Sequence, residues 1–157
     1  MIEYKVNDTE LLADKFILFV NQIWKGNYDL NKTTSALSKT INITAYNGNT
    51  LIGCLRILSD GYYFGTITEL LVLPKYQKQG VGSKLLQLAK DNTPTLLYFG
   101  AQPGVETFCE KNGCKKSLER EVRTLFWTRN DVMEENICHI RNRKNSRHLR
   151  FMMKQVQ

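Results

Sequence analysis

Between Leu70 and Ser83 the sequence reads Leu-Leu-Val-Leu-Pro-Lys-Tyr-Gln-Lys-Gln-Gly-Val-Gly-Ser, an apolar strand that passes through a glycine-punctuated turn straight into a helix. Residues of these types in this order bind anions. Gly80 and Gly82 let the backbone approach a phosphate closely, and the unpaired N–H groups and positive dipole end of the following helix point at it. A ligand carrying a pyrophosphate is the first expectation. Two common phosphate loops do not fit. A Walker loop needs Gly, four residues, then Gly-Lys-Ser/Thr, and Gly80-Val81-Gly82-Ser83-Lys84 has the order wrong; the dinucleotide fingerprint needs a glycine where Leu85 stands.

The segment is positioned by regular elements on either side. After the turn, Val81, Leu85, Leu86, Leu88 and Ala89 recur at helical spacing, and Asn92-Thr93-Pro94 ends that helix. Upstream, residues 2 to 7 alternate as a strand with Ile2, Tyr4 and Val6 inward. Asp8 is placed to cap a helix bearing Leu11, Leu12, Phe16, Phe19, Val20 and Ile23, and Asn31 to cap a shorter helix through Leu37. Residues 41 to 46 and 50 to 58 are β-rich runs around Asn47-Gly48-Asn49, a strong hairpin signal. Strands follow at 66 to 73 and 95 to 99, a helix at about 108 to 112, and a last strand at 122 to 128. The order β-α-α-β-β-β-α-β-α-β predicts an α/β chain with a mixed, mostly antiparallel central sheet flanked by helices on both faces.

At 157 residues the chain suits one main domain. Its longest apolar run, residues 16 to 20, is too short to span a bilayer, and its start lacks a signal-peptide layout, so a cytoplasmic protein without a membrane partner is expected. Cysteines 54, 109, 114 and 138 have no Cys-x-x-Cys spacing, which argues against a zinc site or a disulfide framework; no metal is expected. The net charge is +7. Residues 1 to 121 carry 14 Lys and Arg against 12 Asp and Glu, and residues 122 to 157 carry 8 against 3, so most of the excess lies at the end. There, Asp131 and Glu134 suggest a capping box, Met133, Ile137 and Ile140 an amphipathic helix, and residues 141 to 150 a basic terminus. Contact of that tail with nucleic acid or an acidic partner is the lesser alternative to a cationic helix face, and its apolar side would suit a homodimer.

Gln77-Lys78-Gln79-Gly80-Val81-Gly82 follows Gln/Arg-x-x-Gly-x-Gly/Ala, and Phe108-Cys109-Glu110-Lys111-Asn112-Gly113-Cys114 looks like Phe-Tyr-x-Lys-x-Gly-Phe with Cys109 in the tyrosine's place. Together they resemble the GCN5-related N-acetyltransferase (GNAT) family over residues 2 to 121, leaving 122 to 157 as a last strand plus a basic extension. The resemblance implies an N-acetyltransferase that moves an acetyl group from acetyl-coenzyme A to a primary amine, a small molecule or a protein amine, by direct attack in a ternary complex. It also implies backbone contacts from Leu70, Leu71 and Val72 to the pantetheine arm, and a pyrophosphate held by Gln77, Lys78, Gln79, Gly80, Val81, Gly82 and Ser83, with Lys78 or Lys84 adding charge. An amine with pKa about 10.4 is almost wholly protonated at neutral pH, so a base is needed. Glu69 is the candidate, with a structural pairing to Arg56 as the competing role and Asp60 as second choice. The thiolate's acid, usually a tyrosine, is here Cys109; Tyr98 or solvent are the alternatives. Trp24, Tyr28, Tyr62, Tyr63 and Phe64 occupy segments that border the acceptor cleft in the family, and Gln102-Pro103-Gly104 follows the fifth strand. The contrasting reading is a protein that binds acyl-coenzyme A without turnover and uses its tail to contact a partner.

Overall fold

Strand β3, Thr50–Ser59, is apolar along most of its length because both its faces are covered: Leu51, Ile52, Cys54, Leu55 and Ile57 are all buried. The computed structural model describes residues 1–100, 104–116 and 124–127. Within them, β1 (Ile2–Lys5), β2 (Ile41–Asn47), β3, β4 (Phe64–Val72), β5 (Leu96–Gly100), β6 (Lys115–Lys116) and β7 (Thr124–Trp127) form one sheet in the order β1-β2-β3-β4-β5-β7-β6. Every pairing is antiparallel except β4 with β5. The helices are α1 (Ala13–Val20), α2 (Leu30–Leu37), α3 (Val81–Asn92) and α4 (Glu106–Lys111). The expected order of elements is present, with the two-residue β6 as an addition. Strand β7 pairs with β5, so the strand expected within 122 to 157 belongs to the main sheet. The helix expected around Met133 and the basic run 141 to 150 lie outside the described residues, as do Gln102 and Pro103.

Helices α1 and α3 take opposite faces. A Cβ at Gly53 would stand 3.1 Å from Leu85 and from Val81, so α3 lies directly over that face of β3. Arg56, three residues on and therefore on the other face, places its guanidinium 5.4 Å from the Phe16 ring of α1. Val81, Leu85, Leu86 and Ala89 bury one side of α3, and Phe16, Phe19 and Val20 one side of α1. The predicted apolar spacing of α3 reports this packing correctly.

Two expected caps are displaced. Helix α1 begins at Ala13 with Leu12 at its N-cap, and Asp8 is instead a buried tie between the first connection and β2. Its Oδ2 accepts from the hydroxyls of Thr44 (2.7 Å) and Tyr46 (3.0 Å), and its N–H donates to Asn42 O (2.7 Å). Buried hydroxyls need an acceptor, and that requirement outweighs a local cap. Burial, and after it the Asp8 carboxylate, push the Tyr46 phenol up, so it remains a donor. Helix α2 is capped by Asp29, whose Oδ1 accepts from Lys32 N–H at 2.8 Å, rather than by Asn31. Strand β1 stops at Lys5, which leaves Val6 exposed.

Candidate active site

Strands β4 and β5 pair over three residues only, Phe64–Thr66 against Leu96–Tyr98, and then diverge. The gap is a cleft of about 290 Å³ that reaches from one side of the sheet to the other. Ile67, Thr68, Glu69 and Leu70 form its β4 wall, Phe99 and Gly100 its β5 wall, Leu86 comes from α3, Val105, Phe108 and Cys109 from the α4 segment, and Trp24 from the end of the α1 turn.

Which backbone groups line that gap follows from the β3–β4 ladder. Leu73 N–H donates to Ile52 O (2.9 Å), and the register sets Cys54 opposite Leu71 and Gly53 opposite Val72. Peptide groups in an antiparallel strand alternate in direction, so those of Leu71 belong to the β3 ladder while those of Leu70 and Val72 face the gap. Of the three expected strand contacts, the geometry therefore presents two. A register shift between Arg56 and Ile57 leaves Thr68 without a cross-strand partner between Ile67 and Glu69, a bulge of the kind that re-aims side chains.

Beyond β4, a 3-10 turn at Pro74–Tyr76 leads into the loop that opens α3. Gln77 N–H donates to Pro74 O (3.2 Å), while its side-chain Nε2 donates to Val72 O (3.0 Å) and ties the loop to the open edge of β4. Sequence reasoning assigned Gln77 to the loop but not this tie, which has no local signal. Lys78 (φ +59°) and Gly80 (φ +83°) are left-handed, and Gly80 caps α3 with no side-chain acceptor. The first N–H of the helix to find a carbonyl within it is that of Lys84, to Gly80 O at 3.0 Å. Those of Val81, Gly82 and Ser83 precede it and have no carbonyl of the helix to reach. A Cβ at Gly82 would be 3.3 Å from the Phe108 ring, so this uncapped terminus abuts the cleft wall. Gln79 Nε2 donates to Lys75 O (2.7 Å), and Lys78 and Lys84 are exposed. Uncapped amides with a side-chain-free approach fit a pyrophosphate.

Glu69 and Cys109 both line the cleft. Arg56 Nη1 donates to Glu69 Oε1 at 2.8 Å, with 13% of each side chain exposed, so the structural pairing weighed for Glu69 is present. Arg56 Nε also donates to Thr40 Oγ1 (3.3 Å). Burial pushes the Cys109 thiol up, and the carboxylates of Glu106 and Glu110 add to it, against a lowering by the Cys114 thiol. Cys109 is thus protonated through the neutral range. Cys114 N–H donates to Cys109 O (3.0 Å) as α4 ends at Gly113 (φ +79°), the glycine-closed helix predicted for this segment.

The other candidates lie elsewhere. Asp60 Oδ1 accepts from the N–H groups of Tyr62, Tyr63 and Phe64 (2.9 to 3.0 Å), and these bonds, led by that of Phe64, hold its carboxyl below the usual range. It shapes a turn. Tyr98 stacks on Phe64 (centroids 5.0 Å apart) and is not among the cleft walls; Tyr62 and Tyr63 are exposed at the hairpin tip. Of the five aromatics expected near an acceptor, Trp24 lines the cleft. Among the described residues no three His, Cys, Asp or Glu side chains converge as a metal site, and no helix is long and apolar enough to cross a membrane.

Residues 39–116 match the acetyltransferase (GNAT) domain family. The chain carries a GNAT acetyltransferase domain. Solved structures share its fold. A GNAT family acetyltransferase from Streptococcus pneumoniae TIGR4 aligns with TM-score 0.64 at 20% identity, over 83% of this chain and all of that one. PaiA N-acetyltransferase from Thermoplasma acidophilum, in complex with coenzyme A, aligns with TM-score 0.58 at 18% identity, over 80% of this chain and 97% of that one. An aminoglycoside 6'-N-acetyltransferase complexed with coenzyme A gives TM-score 0.60 at 12% identity, over 79% and 93%. No curated protein matches the chain. A GNAT domain supports acyl transfer in general, and every described residue that lines the cleft except Trp24 belongs to the matched segment, as does the uncapped α3 terminus.

Proposed function

We propose that the protein transfers an acetyl group from acetyl-coenzyme A to a primary amine by direct attack within a ternary complex. The observation that carries this reading is the junction of two features: an uncapped helix terminus with left-handed Gly80, and a strand edge left open by the divergence of β4 from β5 at Leu70 and at the Val72 N–H, Val72 O being held by Gln77. The terminus suits a pyrophosphate, and the open edge suits an extended amide-bearing arm that adds to β4 as a strand would. Two proteins of the same fold are complexed with coenzyme A, which supports the choice of ligand.

With the arm along Leu70 and Val72, the thioester falls beside the Thr68 bulge. Leu70 N–H, which faces the gap, donates to the carbonyl oxygen as it gains charge. The amine nitrogen bonds to the carbonyl carbon, the carbon–sulfur bond breaks, and the amine's surplus proton passes to Glu69. Arg56 holds that carboxylate through Oε1 and leaves Oε2 for the proton. Cys109 Sγ–H supplies a proton to the departing thiolate.

A thiol-release assay against a panel of primary amines tests the reading. In Glu69→Gln, which keeps an oxygen for Arg56, kcat should fall about a hundredfold while the KM for acetyl-coenzyme A holds. An unaltered kcat would take Glu69 out of the reaction. Cys109→Ala should lower kcat about tenfold without weakening coenzyme binding, because the thiol's raised value keeps it an acid across neutral pH. Unchanged turnover in that variant would hand the proton to solvent. Coenzyme A binding without turnover of any amine would favour the non-catalytic reading. In a thermal melt, a ligand at 100 times its Kd should raise Tm by roughly 5 to 10 °C.

A further inference from the structure

The connection from α1 to α2 is cross-tied in a way that anchors the backbone of one residue that lines the cleft. Asn21 Oδ1 accepts from Gly26 N–H (2.9 Å), Trp24 N–H donates to Val20 O (2.7 Å), and the Tyr28 hydroxyl donates to Trp24 O (3.0 Å). The Tyr28 ring lies so close over Gly26 that a Cβ there would come within 2.9 Å of it. Both backbone polar groups of Trp24 are therefore anchored. Trp24 nevertheless remains 46% exposed and lines the cleft. A large aromatic that lines a cleft from an anchored backbone and is left half open offers a contact surface.

Its place in the reaction follows from the two faces of the sheet. Loop 77–83 lies on the α3 side, so the arm enters from there, and an acceptor approaches from the α1 side, where Trp24 and Glu69 stand. Among the described cleft residues, Glu69 is the one carboxylate, and Arg56 already balances it. The other described residues that line the cleft are apolar or neutral, Thr68 and Phe99 among them. Among the described residues a polycation would find no set of free carboxylates there. A single ammonium on an apolar body would, by contrast, gain contact with the indole face, and desolvation would favour its neutral, nucleophilic form.

Building on the acyl-transfer reading above, we propose that the acceptor is a monoamine carried on an apolar or aromatic body, and that Trp24 is the residue that selects it. Phenethylamine, ethanolamine and spermidine serve as probes with acetyl-coenzyme A in excess. Phenethylamine should show a kcat/KM at least about tenfold above the other two, and Trp24→Ala should raise its KM about tenfold with the KM for acetyl-coenzyme A unmoved. Trp24→Phe, which preserves a ring, should recover most of the loss. Preference for spermidine, or Trp24 variants with an unaltered order of amines, would overturn the inference, as would coenzyme binding with no acetylation of phenethylamine. Absence of any coenzyme A shift in a thermal melt would instead sink the acyl-transfer reading beneath it.

Discussion

Gly80→Val is expected to weaken coenzyme A binding at least about a hundredfold while the protein still folds. Gly80 has φ +83° and caps α3, so its conformation sets the direction in which the first amides of the helix point. A β-branched residue in that region costs about 1 to 3 kcal/mol, and the helix start can relieve the strain by rotating, which turns the amides away from the anion. Among the described residues, Gly80's own chain neighbours aside, nothing lies within 4 Å of where the new Cβ would be. The damage therefore falls on the ligand, whose approach the side chain obstructs, more than on packing. Titration calorimetry with coenzyme A reads the affinity, and a melt without ligand reads the fold. A Tm loss of roughly 2 to 10 °C with binding abolished is the expected pair of results. Near-normal affinity would show that the phosphates are held elsewhere.

In Arg56→Met the expected loss is about 3 to 5 kcal/mol at neutral pH, because the substitution leaves the Glu69 carboxylate largely buried without its counter-charge. For a domain of this size that corresponds to a Tm lower by roughly 6 to 15 °C. Two further contacts go with the guanidinium: the hydrogen bond to Thr40 and the packing over Phe16. The pH dependence separates the charge effect from the packing effect. A buried carboxylate with no partner takes a proton more readily in the folded protein than in the unfolded chain, so the deficit should shrink as pH falls. Adding Glu69→Gln should recover part of the loss, since both charges are then gone. A double variant no more stable than Arg56→Met would place the whole loss in packing. Turnover of Arg56→Met should fall as well, because the bulge at Thr68 aims Glu69 and Arg56 holds it there.

The competing roles weighed for Glu69 illustrate where sequence reading stops. Both were legible, a base beside the coenzyme loop and a partner for Arg56, and the cross-strand register realises the pairing within the cleft itself. The strand-loop-helix unit around Gly80 was legible in full, since glycine and proline punctuation and 3.6-residue spacing act over a few neighbours. The same local signals gave the order of strands and helices. They misplaced Asp8, whose partners Thr44 and Tyr46 are 36 and 38 residues away, and they could not tell that Leu71 turns its peptide groups toward β3 while Leu70 and Val72 face the gap. By itself the sequence determined the elements, the glycine-punctuated loop that opens α3 and which residues are the candidate base and acid, because those rest on residue type and short-range spacing. Only the tertiary structure decided that β4 and β5 part after three pairs, that Trp24 and Glu69 line one cleft, and that Asp60 and Tyr98 stay out of it. Those outcomes depend on register, on which face a side chain takes, and on contacts between residues far apart in the chain.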